Sequence, residues 1–155
     1  MKSIWYYESP VGTIGITEED DAISHVFYKN DSSMPGYSMK ETSLIKKAAT
    51  QLSEYFVGKR KEFDLPLLLQ GTEFQQSVWK SLKAIPAGQT VSYKDIAVQV
   101  GHPKAYRAVG MANNKNPIVI VVPCHRVIGM DGGMVGYAGG LSIKQFLLEL
   151  EKQYY

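Results

Sequence analysis

The chain has 155 residues, about one average domain or two small ones. Hydrophobic residues make up 45% and charged residues 21%, proportions that exclude a disordered, collagen-like or coiled-coil chain. The net charge of +2 is unevenly spread: residues 1–71 carry eight Lys/Arg against ten Asp/Glu, residues 72–155 nine against five. A mildly acidic part followed by a basic part reads either as a pointer to an anionic partner or as chance among few charges. The longest aliphatic run, Ile118 to Val122, is too short to span a bilayer, and no apolar signal segment follows Met1. Cys124 is the single cysteine, so no intramolecular disulfide forms, and a reducing, cytoplasmic compartment is the natural reading.

The first part reads as strands followed by a helix. Ile4–Tyr7 is aromatic and β-prone, Pro10-Val11-Gly12 is a turn, and Thr13–Thr17 alternates with period two. The acidic run Glu18–Asp21 is turn-like, and Ala22–Tyr28 is the next strand. Residues 31–37 form a polar loop. Ile45, Ala48, Ala49, Leu52 and Phe56 then fall at helical spacing, with Gly58 as the stop. Phe63, Leu65 and Leu67 predict a short closing strand. His25, alone on a strand, reads as a structural or surface histidine rather than a ligand.

Gln70-Gly71 is the linker candidate, which sets domains at 1–70 and 71–155. Thr72 with Gln75 is a capping box opening a helix that carries Phe74, Val78 and Leu82 on one face. Ser92 with Asp95 caps a second helix with Ile96, Ala97 and Val100 inward and Gly101 just past its end. Pro103 predicts the start of a third, through about Asn113. The last two match a helix-turn-helix. Ala105, Ala108, Gly110 and Ala112 are small, with Arg107 among them. This composition suits close approach to another surface, either DNA or a neighbouring helix.

Ile118–Val122 is β-branched or aliphatic throughout and predicts a strand buried on both faces, ended by Pro123. Cys124-His125-Arg126 follows at its mouth. A cysteine reacts as thiolate, and imidazole or cationic neighbours favour that form. Adjacent residues of an extended chain point apart, so a water relay between Cys124 and His125 is one arrangement. Gly136–Gly140 is a glycine-rich loop with Tyr137 as a wall, and it lacks the spacing of a phosphate loop. The last helix places Ile143, Phe146, Leu147 and Leu150 on one face, with Glu151 at its edge. A carboxylate there is either a partner of His125, in a Cys–His–Glu relay, or a solvated end residue.

Pro123–Val127 resembles the active-site signature of the O6-alkylguanine-DNA alkyltransferases, the methylated-DNA–protein-cysteine methyltransferases. The likeness extends over Gly71–Gln75, Val78-Trp79, Ile85–Gly88, Ser92-Tyr93, Arg107–Gly110, Asn116-Pro117, Tyr137–Gly140 and Glu151. The N-terminal part resembles the family only in length and strand–helix pattern. The resemblance implies an α/β fold, with a small N-terminal RNase-H-like α/β domain and a C-terminal helical, winged helix-turn-helix domain. It implies a monomer that binds double-stranded DNA carrying O6-alkylguanine, and also O4-alkylthymine, from the minor-groove side, with no cofactor and no membrane. Ala105, Tyr106 and Ala108 would lie against DNA, and Arg107 would fill the gap left by the flipped base. Cys124 would take the alkyl group irreversibly. His125 would remove the thiol proton, Glu151 would orient His125, Tyr93 would donate to the departing guanine, and Asn116 would tie the helix-turn-helix to the cysteine segment. Backbone groups of Cys124, Val127 and Ala138 would read the base, beside Tyr137 and Gly139. With one Cys and three His the chain predicts no zinc site. Tyr106 stands where relatives commonly have a small residue, and Ala138 where some have serine. A lesion-binding protein without transfer, a cysteine hydrolase and a plain winged-helix regulator are the competing readings. Alkyl transfer, ester turnover and sequence preference separate them.

Overall fold

The computed structural model describes residues 1–29, 34–133, 136–137 and 139–155. It divides into two compact units, Met1–Leu69 with Pro117–Val119, and Gln70–Asn116 with Ile120–Tyr155.

In the first unit β1 (Lys2–Ser9), β2 (Gly12–Glu19) and β3 (Ala22–Tyr28) form an antiparallel meander. Strand β4 (Ser38–Met39) joins β1 in parallel, giving the order β3-β2-β1-β4. Asp20 and Asp21 alone link β2 to β3, with φ of 53° and 61°. That is the mirror-image turn whose twist matches a hairpin, and aspartate tolerates it better than most side chains. Helix α1 (Ser43–Phe56) starts where the Thr42 hydroxyl accepts the Ile45 N–H, and it buries Ile45, Ala48, Leu52 and Phe56. The closing strand expected over Phe63–Leu67 shrinks to one bridge between Leu67 and Ile23. Ile23 N donates to the Pro66 carbonyl and Leu68 N to the Ile23 carbonyl, while Pro66 has no N–H with which to extend the ladder.

In the second unit α2 (Glu73–Lys83) and α3 (Tyr93–Gln99) both open on complete capping boxes, Thr72 with Gln75 and Ser92 with Asp95. Helix α3 closes on Gly101, at φ 83°, with Gly101 N bonded to Val98 O and His102 N to Ala97 O. This double closure requires a left-handed residue, hence the glycine. The next helix, α4, begins at Tyr106 rather than Pro103 and runs to Asn114. Pro103 serves a turn instead: Ala105 N donates to His102 O at 2.8 Å, and proline's fixed φ suits the second place of such a turn as well as a helix start. Trp79 on α2 donates through Nε1 to the Ala112 carbonyl of α4 at 2.9 Å, which locks the two helices together.

The run Ile118–Val122 is not one strand. Ile118 bridges to Val26, and Val119 N donates to the Val26 carbonyl. Ile120 then turns with φ 72°, an unusual conformation for a β-branched residue. Ile118, Val119, Ile120 and Val122 remain buried, and Val121 half-buried, because each half packs in its own unit. Beyond it come one 3₁₀ turn (Cys124–Arg126), β6 (Val127–Ile128) and α5 (Leu141–Tyr154). Strand β5 (Val91–Ser92), which leads straight into α3, pairs with β6 in parallel. Among the described residues no helix is long and apolar enough to cross a membrane.

Candidate active site

Cys124 and His125 sit on the 3₁₀ turn, not on an extended chain. Arg126 N closes the turn on the Pro123 carbonyl, and Cys124 N bonds to the Val122 carbonyl at 2.8 Å. Two asparagines from the end of α4 hold this segment. Asn116 Nδ2 donates to Val122 O at 2.7 Å and Asn113 Nδ2 to Cys124 O at 3.3 Å. The nucleophile candidate is thus fixed by one side chain of the helix that carries Arg107 and by one just beyond its end.

Cys124 is 3% exposed. Burial pushes its thiol up to about 11, against hydrogen bonds from Asn116 and Tyr137 and the charge of Lys144, which all favour the thiolate. The resting group is therefore a thiol that needs a base. His125 is fully buried, and its Nε2 lies 2.6 Å from Glu151 Oε2. Burial lowers its pKa, with Glu151 pulling the other way. Its Nδ1 is buried and without a hydrogen-bond partner among the described residues.

Glu151 is not a solvated end residue; it is 1% exposed. Arg126 clamps it from Nε to Oε1 at 2.8 Å and from Nη2 to Oε2 at 2.9 Å, while Arg126 Nη1 donates to the Ile85 carbonyl. Gly88 N adds a longer bond of 3.2 Å. Gly88 has φ 87°, and a Cβ there would meet the Tyr155 backbone at 3.1 Å, so glycine lets this N–H reach the carboxylate. Burial alone would raise the Glu151 carboxyl, yet the bonds from His125 and Arg126 hold it well below the usual carboxylate range. It stays ionised and can only accept. The proton between Glu151 and His125 therefore resides on Nε2, which leaves Nδ1 as the basic nitrogen.

Helix α5 is rotated from the face expected of it. Lys144, Leu147, Leu150 and Glu151 are its buried residues, while Phe146 is 38% exposed. Lys144 Nζ donates to the Val127 carbonyl at 2.6 Å. Burial lowers the pKa of Lys144 and Cys124 opposes that shift. The sequence pattern missed Lys144 because a lysine beside an apolar stripe reads as surface. It also placed Arg126 as a neighbour of the thiol, whereas its guanidinium faces Glu151.

The remaining candidates fall in two places. Tyr93, the first residue of α3, is half-buried, and burial and Cys124 both push its hydroxyl up. Tyr137 and Gly139 are half-buried beyond β6, and Val127 is fully buried. Tyr106, Arg107 and Ala108 are exposed on the first turn of α4, just after the half-buried Ala105. Ala138 lies outside the described residues.

The site therefore holds a buried cysteine on a short turn, next to a histidine bonded to a clamped carboxylate. Residues 73–153 match the model of the 6-O-methylguanine DNA methyltransferase DNA binding domain, and residues 4–69 match its ribonuclease-like domain. The chain belongs to the 6-O-methylguanine DNA methyltransferase family. It is 50% identical to the methylated-DNA–protein-cysteine methyltransferase of Methanosarcina barkeri over 148 residues, covering 94% of both chains. It is 47% identical to the constitutive enzyme of that name from Bacillus subtilis, over 94% of this chain and 92% of that one. The crystal structure of Mycobacterium tuberculosis O6-methylguanine methyltransferase aligns at TM-score 0.92 and 42% identity, covering 100% of this chain and 95% of that one. The M. tuberculosis OGT solved in complex with DNA aligns at 0.93 and 43%, covering 98% and 94%. The family's α/β domain followed by a helical domain is thus the architecture of this chain.

Proposed function

We propose that this protein repairs DNA by taking the alkyl group of O6-alkylguanine onto Cys124, once per chain. The observation that carries this is the buried chain Arg126–Glu151–His125, which ends in a basic Nδ1 without a partner among the described residues, on the residue next to Cys124. The names of the similar proteins described above agree with it.

That arrangement supports the following steps. His125 Nδ1 receives the Cys124 proton through a bridging water, and Glu151 stabilises the imidazolium that forms. Arg126 keeps Glu151 charged and in place. The thiolate sulfur attacks the alkyl carbon in line. The S–C bond forms as the C–O6 bond breaks, and guanine leaves with that electron pair. Tyr93 donates a hydrogen bond or proton to the departing base. The product is a thioether, which water does not cleave, so no thiol returns. Asn116, bound to Val122 O, holds the segment still. Backbone groups of Cys124 and Val127 read the flipped base beside Tyr137 and Gly139. Tyr106, Arg107 and Ala108 of α4 are exposed and face the duplex, Arg107 filling the vacated stack from the minor-groove side. O4-alkylthymine is a second substrate on the same chemistry.

Intact-mass spectrometry after incubation with an O6-methylguanine duplex tests this. One added methyl per chain, mapped to Cys124 and absent from Cys124→Ser, is the expected result. Turnover beyond one equivalent, or a label elsewhere, overturns it.

A further inference from the structure

Ile120 holds a backbone conformation that its residue type disfavours. Among the described residues other than glycine, a positive φ occurs only at Asp20, Asp21 and Ile120. The two aspartates are exposed in a hairpin turn. Ile120 has φ 72° and is 1% exposed. In that region Cβ crowds the following carbonyl oxygen, and a β-branched side chain fits worst. Such a conformation persists only where its surroundings impose it.

What imposes it is the path of the chain to Cys124. The chain leaves the helical unit after Asn116 and returns at Ile120. Two residues later the Val122 carbonyl is back beside Asn116, whose Nδ2 donates to it at 2.7 Å. The same oxygen accepts Cys124 N at 2.8 Å, across Pro123 with φ −82° and ψ 66°. That is an inverse γ-turn, which proline's fixed φ suits. Val122 O is thus the pivot of the segment that presents Cys124, and Ile120 is the corner that brings it there. A glycine at 120 would adopt this corner without strain and would leave it as easily. An isoleucine leaves it only by drawing a buried apolar side chain out of its packing.

We propose that Ile120 is a positioning residue of alkyl transfer: its buried side chain holds the left-handed corner, the corner sets the Val122 carbonyl between Asn116 and the Cys124 amide, and Cys124 is thereby fixed for in-line attack. This deepens the proposed function and rests on Cys124 being the alkyl acceptor.

The test uses the full chain, whose single thiol makes every label unambiguous. Two electrophiles are compared in excess, at a temperature where melts show each variant folded. An O6-methylguanine duplex presents its carbon in one fixed pose, whereas iodoacetamide reaches the sulfur from any open side. Ile120→Val keeps the β-branch and should stay within about threefold of wild type on both. Ile120→Ala loses the anchor and should accept from the duplex about tenfold more slowly. Ile120→Gly should lose about a hundredfold, the scale of an ångström's misplacement of a reacting group. Neither should react more slowly with iodoacetamide. Ile96→Ala opens a cavity on the buried face of α3 and should leave the duplex rate unchanged. Should the glycine chain not fold, the alanine loss and its rescue by valine decide. An Ile120→Ala chain with the wild-type duplex rate, or a loss shared with iodoacetamide or with Ile96→Ala, would overturn the role of Ile120. A wild-type chain that reacts with iodoacetamide but takes no methyl from the duplex would instead overturn the function beneath it.

Discussion

His25 and His125 are both drawn down in pKa by burial, and each unit of the protein surrounds its histidine with polar partners. In the sheet unit His25 Nδ1 lies 3.0 Å from the Thr17 hydroxyl, which in turn bonds Ser24 at 2.6 Å. The Tyr37 hydroxyl lies 3.5 Å from the same nitrogen and 3.4 Å from Glu19 Oε2, to which it donates. That Nδ1 is occupied by hydroxyls, Glu19 is also paired with Lys2, and the cysteine belongs to the other unit. In the helical unit His125 bonds a carboxylate on one side and nothing described on the other. The lesson is that a buried histidine becomes a base only when its far nitrogen is fixed by an ionised carboxylate and its near one is left open. The hydroxyl cluster of His25 satisfies a strand; the Glu151 clamp prepares a reaction.

The largest effect expected from breaking this contrast comes from Glu151→Gln. The glutamine cannot stabilise an imidazolium and leaves the Arg126 guanidinium buried without its anion. Transfer should slow by about 10²–10⁴-fold, the range for general-base assistance. Removing one partner of a buried ion pair is also strongly destabilising, so the melting temperature should fall. Affinity for undamaged DNA should change little, since no phosphate is touched. Glu19→Gln in the other unit should alter neither rate nor affinity. Stopped-flow transfer rates with thermal melts check both. A Glu151→Gln protein with wild-type rate would mean that the clamp is only structural.

A smaller loss, confined to duplex substrates, is expected of Arg107→Ala. Arg107 is exposed at the start of α4, six residues before Asn113 and far along the helix from the buried end that holds Cys124. Repair of methylated duplex should slow well beyond reaction with free O6-benzylguanine, which needs no flipping. The salt slope of binding to undamaged duplex should stay nearly unchanged, whereas loss of a plain phosphate contact would lower it by about one. Equal losses on duplex and free base would place Arg107 in the support of the site instead.

Much of this was legible because it is local. The capping boxes at Thr72 and Ser92 and the left-handed close at Gly101 depend on a few consecutive residues, and they form as read. The Cys124-His125 pair and the distance of Glu151 along its helix were visible as spacing. Other features depend on what packs against an element. The α5 face turned to bury Lys144 because the Val127 carbonyl receives its ammonium, and Phe146 lost its place there. Periodicity counts apolar residues and cannot foresee a buried lysine. Ile118–Val122 read as one strand because hydrophobicity does not reveal that its two halves belong to different units. Asn113 gave no signal at all, since an asparagine near a helix end is ordinary and its partner, the Cys124 carbonyl, is eleven residues away.

The smallest expected effect concerns stability against pH, and it sharpens the comparison with which the two histidines began. Both have folded pKa values below the ordinary value of about 6.5, because burial disfavours their charged forms. A group depressed in this way binds fewer protons in the folded state than in the unfolded chain. Its contribution is present above the unfolded pKa and is lost as pH falls toward the folded one. Melting temperature should therefore decline gently from about pH 7 to pH 5. Glu151 is depressed too, so its own contribution should persist through that window and be lost only below about pH 4.5, as unfolded carboxylates begin to protonate. His25→Gln should remove part of the upper decline and leave transfer intact. Glu151→Gln should flatten the lower one while abolishing fast transfer. Differential scanning calorimetry at half-unit pH steps would resolve the two windows. A His25→Gln protein with an unchanged profile would show that its hydroxyl partners already compensate the burial, and that only the histidine with a carboxylate behind it couples protons to folding.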